Sequence, residues 1–426
     1  MQRLLIQNAK AIVGTYPKGQ QRVNGRAMAH LPMIPNGWLY SESGRIVAFG
    51  SMDAPPVITE RWDLTVVDAT GRFVLPGWCD PHTHTIFAAP REEEFVDKIN
   101  GLSYQEIAAR GGGILNSAMK LRGMSEEELF QRAKERLETM MRQGTVAVEI
   151  KSGYGLTVES ELKMLRVAKR LKEALPLRVK TTLLAAHALP PEFKDDRAGY
   201  VDLICQELIP RVAAEGLADF VDVFCETNYF TVPEMVRVME AGARLGLPAK
   251  VHVNQFTSIG AIQAAVANKA ASVDHLEVMT DADIAALAAA PVDEQPIPTL
   301  LPSCSFFLRI PYGPARQLME HDLPIALASD HNPGSTPSGN LNLVLSLACI
   351  KLRMLPEEAI AALTLNAAAA MHLSDDLGSI TRGKRTSLII TRPIPSLAYL
   401  PYAFGTDHID TVLIDGKLVR SGEVIR

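Results

Sequence analysis

Eight strand-length runs, each largely apolar and each followed by a helical pattern, constrain this 426-residue chain more than any other feature. They lie at 73–79, 145–150, 179–186, 220–225, 249–253, 271–273, 297–301 and 324–329. Continuous apolar strands suit a parallel sheet covered on both faces. The segments between them are amphipathic, and Ser125 followed by Glu128 predicts a capping box at the start of one helix. Eight β/α alternations over roughly 280 residues match an α/β fold of the (β/α)8 TIM-like barrel type in both length and count. A doubly wound open sheet is the competing arrangement, but no strand leads into a Gly-rich phosphate loop.

The two chain ends read differently. Short apolar and β-branched runs at 4–6, 37–40, 44–50 and 64–68 are separated by Asn, Gly and Asp, as in antiparallel hairpins. Runs at 387–391 and 411–419 look alike, and Asp415-Gly416 is a good hairpin turn. Neither end suffices for a sheet of its own. The expectation is one small β-sandwich-like domain built from 1–72 plus 377–426, with 73–376 left for the barrel.

Composition narrows the functional classes. Lysine and arginine number 43 against 48 acidic residues, a net charge of −5, so there is no basic footprint for nucleic acid and no polybasic membrane patch. No stretch approaches the roughly 18 uncharged apolar residues of a membrane span, and the first apolar run is too short for a signal peptide. Five scattered cysteines without a C-x-x-C pair argue against a disulfide framework and a zinc ribbon. A soluble, cytoplasmic protein is the expectation.

Barrel enzymes place catalysis at the carboxyl ends of their strands. Those ends carry His82 and His84, Tyr154, His187, Glu226, His252, His275 and Asp330, which takes in five of the ten histidines. In Asp80-Pro81-His82-Thr83-His84, alternate side chains of an extended segment share one face, so both imidazoles project together. Such a pair suits a divalent metal, or is simply hydrogen-bonded at a surface. His252 on the fifth strand offers a third imidazole. Asp330 on the eighth offers a carboxylate, although Asp before Asn-Pro-Gly often closes a turn. The set of H-x-H, His and Asp on strands one, five and eight favours the metal.

That order is the metal signature of the amidohydrolase superfamily. Within it the chain resembles the imidazolonepropionases, ring-opening hydrolases of histidine degradation. The matching segments are Asp80–His84, Arg91–Glu94, Gly101–Tyr104, Arg110–Leu115, Glu149–Leu156, Ala186–Ala188, Asp274–Leu276 and Asp330–Gly334. They run through nearly the whole chain, and Gly-Gly-Gly-Ile and Lys-Ser-Gly-Tyr-Gly-Leu set this family apart from its cousins. Two positions depart from the family pattern. Asn254 stands where an acidic residue is frequent, with Gln255 at a Glu/Gln position, and His331 stands where an aromatic residue is common.

The resemblance implies hydrolysis of 4-imidazolone-5-propanoate to N-formimidoyl-L-glutamate with one divalent ion per chain, zinc or iron, on His82, His84, His252 and Asp330. It leaves Asp330 as the base that takes a proton from water and returns it to the ring nitrogen. His275 is placed against the water or the oxyanion, with Asp274 expected to fix its tautomer. Arg91, Tyr154, His187, Gln255 and Ser335 are assigned to the substrate, and Tyr154, Asn332 and Gly334 to the product. By spacing alone, Arg91 before three glutamates would be a surface ion pair. The implied partner is a small molecule rather than nucleic acid or membrane, with a homodimer as the assembly the family allows. Rival readings are an aromatic-base deaminase, a binuclear hydrolase bridged by Glu226, and a barrel that only binds. Gln255 cannot relay a proton as the first requires, and Lys151 lies on the wrong strand to bridge two metals.

Overall fold

The computed structural model describes residues 3–58, 63–102, 106–107 and 110–422. Ser103 and Tyr104, part of one matching segment, lie outside the described residues. Eight parallel strands follow one another in chain order around a barrel: β6 (Trp78–Thr83), β7 (Thr145–Lys151), β8 (Arg178–Ala186), β9 (Phe220–Cys225), β10 (Lys250–Val253), β11 (Ser272–His275), β12 (Ile297–Leu300) and β13 (Ala326–Leu327). The last strand returns to the first, where Asp330 N donates to the His82 carbonyl (3.1 Å) and His84 N to the His331 carbonyl (2.9 Å). Helices cover the outside. The helix Glu126–Arg142 begins with the expected capping box, with Ser125 Oγ accepting from Glu128 N at 3.2 Å, and buries Leu129, Ala133, Leu137 and Met140.

The remaining strands come from both chain ends: β1 (Arg3–Val13), β2 (Met33–Glu42), β3 (Arg45–Ser51), β4 (Leu64–Asp68), β5 (Phe73–Pro76), β14 (Leu388–Thr391), β15 (Ile409–Ile414) and β16 (Lys417–Arg420). They form one mixed sheet in which β5 joins the N-terminal strands to β14. The expected first barrel strand at 73–79 is therefore two strands. Residues 73–76 pair with β1 and β14, and a new strand starts after Gly77, where a Cβ would lie 2.1 Å from Val146 Cγ1. An unbroken apolar run hides this change of sheet.

The sheet folds over itself, since Ile46 N donates to the Lys384 carbonyl and Thr386 N to that of Gly44. Leu4, Ile6, Leu39, Ile46, Val74, Leu388 and Leu413 meet inside. Alternate residues such as Leu75, Ile389 and Val412 face the barrel core instead, as the period of two dictates. The Asp415-Gly416 turn has both residues at positive φ (51° and 77°), the geometry of a two-residue hairpin. Among the described residues no helix is long and apolar enough to cross a membrane.

Candidate active site

The barrel interior is polar at its carboxyl end. Asp80, His82 and His84 alternate along β6 and its extension, so all three are buried inside the barrel. Asp80 accepts from Ser329 N (3.0 Å) and Oγ (2.6 Å), which ties the first strand to the eighth. His82 Nε2 lies 3.3 Å from His84 Nε2, which lies 3.4 Å from His252 Nε2. Asp330 Oδ1 is 3.6 Å from Nε2 of both His82 and His84. Three buried Nε2 atoms thus converge, with Asp330 Oδ1 against two of them.

Two of the three outer nitrogens lie against a carboxylate, that of His82 in a hydrogen bond, while His84 Nδ1 has no hydrogen-bond partner. His82 Nδ1 lies 2.7 Å from Asp274 Oδ2, and His252 Nδ1 lies 2.8 Å from Asp222 Oδ2. An Nδ1–H facing a carboxylate leaves the Nε2 lone pair free for a metal. Burial, joined by the charge of Lys151 and by neighbouring imidazoles, holds all three ligand-set histidines well below the usual range, in the neutral form that ligates. Three neutral imidazoles and one carboxylate fit a divalent cation.

The expected link from Asp274 to His275 is not made. Asp274 serves His82, and His275 Nδ1 faces Glu277 Oε1 at 3.3 Å. Consecutive residues of one strand would ordinarily point to opposite faces, but His275 has φ +87° and leaves the strand path, so both reach the interior. Burial opposes a charge on His275, yet Glu277, Asp330 and Asp274 together raise it above the usual histidine range. Asp330 itself has φ +55° and is pushed up to about 6, chiefly by burial, against the lowering effect of His275, Cys304, Asn332 and Ser335. Strained backbone of this kind persists where the surroundings over-determine it.

A chamber of about 40 Å³ opens beside this cluster, lined among others by Arg91, Tyr154, His187, Gln255, Asn332 and Ser335. It shares Ile114 and Leu308 with a wider cleft of about 810 Å³. Arg91 is not a surface residue. It is buried, its Nε lies 3.6 Å from Glu94 Oε2, and Nε and Nη1 have no hydrogen-bond partner. Glu94 also accepts from Gly113 N (3.0 Å), which joins the Arg91–Glu94 segment to the glycine run. His187 stacks on His84 (5.2 Å between centroids, 13° between planes) and directs Nδ1 at the Gly153 carbonyl. Burial lowers it to about 4. Tyr154 rides on a loop held by Glu161, which accepts from Gly153, Gly155 and Leu156 N at 2.8–3.0 Å. Gln255 donates to Cys304 Sγ at 3.6 Å.

Two residues assigned to the product also shape the loop after Asp330. Asn332 bonds within its own loop, accepting from Gly334 N and Ser335 N and donating to the Asp330 carbonyl and Ser335 Oγ. Gly334 is not among the chamber's lining residues, and a Cβ on it would sit 1.2 Å from Arg91 Nη2, so its bareness makes room for the guanidinium. Ser335 Oγ donates to Asp330 Oδ2 (3.1 Å). Glu226, the candidate bridge, is turned away to the loop after β10, accepting from Phe256 N, Thr257 N and Thr257 Oγ1. Asp222, Glu277, Glu161 and Cys304 escaped the sequence reading. Asp222 had a signal, an acidic residue inside an otherwise apolar strand.

With the geometry in place, the chain can be set beside known proteins. The model of the amidohydrolase family matches residues 73–419. An imidazolonepropionase from Christiangramia forsetii is 54% identical over 98% of this chain and 100% of its own length. The chain belongs to the imidazolonepropionase family. A Flavobacterium johnsoniae member is likewise 54% identical, over 97% and 99% of the two chains. Solved structures share the fold at lower identity. A zinc-bound adenosine deaminase from Xanthomonas campestris matches with TM-score 0.71 and 17% identity, covering 99% of this chain and 94% of that one. Guanine deaminase from E. coli reaches 0.74 at 13%, covering 99% of each.

Proposed function

We propose that this protein hydrolyses the ring C–N bond of 4-imidazolone-5-propanoate to give N-formimidoyl-L-glutamate, in histidine degradation in the cytoplasm. The observation that carries the reading is a buried His82, His84, His252 and Asp330 cluster beside a buried arginine whose Nη1 has no hydrogen-bond partner, in a chain 54% identical to a named imidazolonepropionase. One divalent ion, zinc or iron, would be held by those four residues. When bound there it supplies Lewis acidity at the substrate carbonyl and lowers the pKa of water.

The residues supply the rest. Arg91, whose Nη1 has no hydrogen-bond partner, receives the propionate carboxylate across the Nη1/Nη2 end of its planar fork while Nε faces Glu94. Tyr154, His187 and Gln255 line the space for the ring. Asp330, oriented by Ser335 Oγ on Oδ2, takes a proton from the attacking water. His275, held by Glu277 through Nδ1, presents its other nitrogen to the developing oxyanion. Asp330 then returns its proton to the ring nitrogen as the C–N bond breaks, so one water is added across that bond. No carboxylate occupies positions 254 or 255, which a proton-relaying deaminase would need there. Freshly generated imidazolone propionate, followed by stopped-assay detection of N-formimidoyl-glutamate, tests the reading; absence of product with metal-loaded protein overturns it.

A further inference from the structure

Beneath the ligand cluster lies a buried group of five charges. Lys151 Nζ is 2.8 Å from Glu149 Oε1, 2.8 Å from Asp222 Oδ2 and 3.6 Å from Asp274 Oδ2. Lys250 Nζ is 3.2 Å from Glu149 Oε2 and donates to the Ala370 carbonyl. All five side chains are fully buried. The Oδ2 atoms that face Lys151 are the same two that face His252 Nδ1 and His82 Nδ1. One ammonium therefore sits behind two ligand histidines that come from different strands.

We propose that Lys151 is a positioning residue for the metal centre, holding Asp222 and Asp274 so that His252 and His82 keep their Nε2 atoms convergent. Each carboxylate is anchored on its second oxygen as well. Asp222 Oδ1 accepts from His252 N at 3.1 Å, and Asp274 Oδ1 from Ser272 Oγ at 2.5 Å. Without the ammonium, two like charges would share a low-dielectric space with nothing between them, and their repulsion would be largest there. They would turn apart, and the imidazoles that face them would follow. Carboxylates behind ligand histidines typically govern metal affinity by 10–100-fold. Because Lys151 acts on two such carboxylates at once, it couples them.

The inference rests on the metal reading above, but not on the substrate. The test uses full-length protein stripped by a chelator and titrated with zinc against a chromophoric competitor. Lys151→Gln combined with Glu149→Gln removes one charge of each sign, so the buried group keeps its net charge. The expected result is a zinc dissociation constant at least about tenfold higher than wild type. An unchanged constant alongside a lower melting temperature of the metal-free variant would make Lys151 a purely structural residue and overturn the proposal. Should that variant not fold, Asp222→Asn and Asp274→Asn are measured singly and together. Coupling through one ammonium predicts a combined loss smaller than the two losses added, and strict additivity overturns it. Wild-type protein that binds no zinc or iron would instead sink the metal reading itself.

Discussion

Gly334→Ala isolates the role of Arg91 without touching it. The added methyl would stand 1.2 Å from Nη2, 2.1 Å from Cζ and 2.5 Å from Nε of Arg91. Ordinary contact needs about 3.5–4.0 Å, so the guanidinium must retreat by about 2 Å. Gly334 does not sit at positive φ, so alanine brings no backbone strain and the effect passes through the arginine. A carboxylate bound through two parallel N–H···O bonds cannot follow such a shift and keep both. Losing a hydrogen bond to a charged group costs about 1.5–3 kcal/mol, which lowers kcat/KM roughly ten- to hundredfold at 1.4 kcal/mol per decade. The assay is initial-rate formation of N-formimidoyl-glutamate from fresh imidazolone propionate, with bound metal checked to be unchanged. Arg91→Met alone should lose at least as much, and adding Gly334→Ala to it should lose almost nothing further. Wild-type kcat/KM in Gly334→Ala, or full additivity of the two changes, would refute both the carboxylate clamp and the account of why residue 334 is glycine.

His252→Ala should lose stoichiometric metal and turnover together, and metal retained at full occupancy would disprove the four-ligand set. Gln255→Glu should keep hydrolysis within about an order of magnitude, because the proton steps rest on Asp330, whereas Asp330→Asn should remove nearly all activity; the opposite ranking would move the proton shuttle to position 255. Burial lowers His331, like His187, to about 4, so the unfolded chain holds more protons between the ordinary histidine value and that figure, and stability falls as pH falls through this window. The expected loss by pH 5 is about 2 kcal/mol for each histidine, so His331→Asn should shrink the pH 7.5-to-5 drop in denaturation free energy by that amount, and an equal drop in both proteins would contradict it.

Much of this architecture was legible because two periodicities carry it. Strand-length runs alternating with helical patterns predicted the barrel, and the H-x-H spacing put His82 and His84 on one face, where the structure has them. What stayed hidden depended on breaks in those periodicities. The run at 73–79 has no polar residue to mark where the chain leaves one sheet for another, and only packing of Gly77 against Val146 does so. Asp274 and His275 cannot both face inward in regular strand; the positive φ of His275 lets them, and it leaves Asp274 to His82 rather than to the tautomer of His275. Glu277 lies past that break, where no alternation points to it. Glu161 sits on a helix, and its contacts with the Gly153–Leu156 backbone are tertiary. Arg91 looked like a surface ion-pair residue from its acidic neighbours, and only its burial beside the chamber separates the two readings.

The charge of the barrel floor bears on how many ions the centre takes. Three carboxylates, Glu149, Asp222 and Asp274, face two ammoniums, Lys151 and Lys250, which leaves one negative charge in a volume closed to water. Asp330, pushed up to about 6, and Asp80, pushed up to about 7, both mainly by burial, lie beside it, and the three ligand-set histidines are neutral. Buried charge that is not compensated costs several kcal/mol per ion. A divalent cation held by His82, His84, His252 and Asp330 would offset this buried negative charge. Beside them His275, Glu277 and Cys304 form a second close group, in which Glu277 Oε1 faces His275 Nδ1 and Ser305 Oγ, each at 3.3 Å. Glu226, the carboxylate a bridged pair would have used, spends its oxygens on the loop at 256–257. The same count explains why Lys151 is useful as a lysine. Held as an ammonium between two aspartates, it offsets part of the floor's negative charge and, having no lone pair, leaves the ligation to the imidazoles above it.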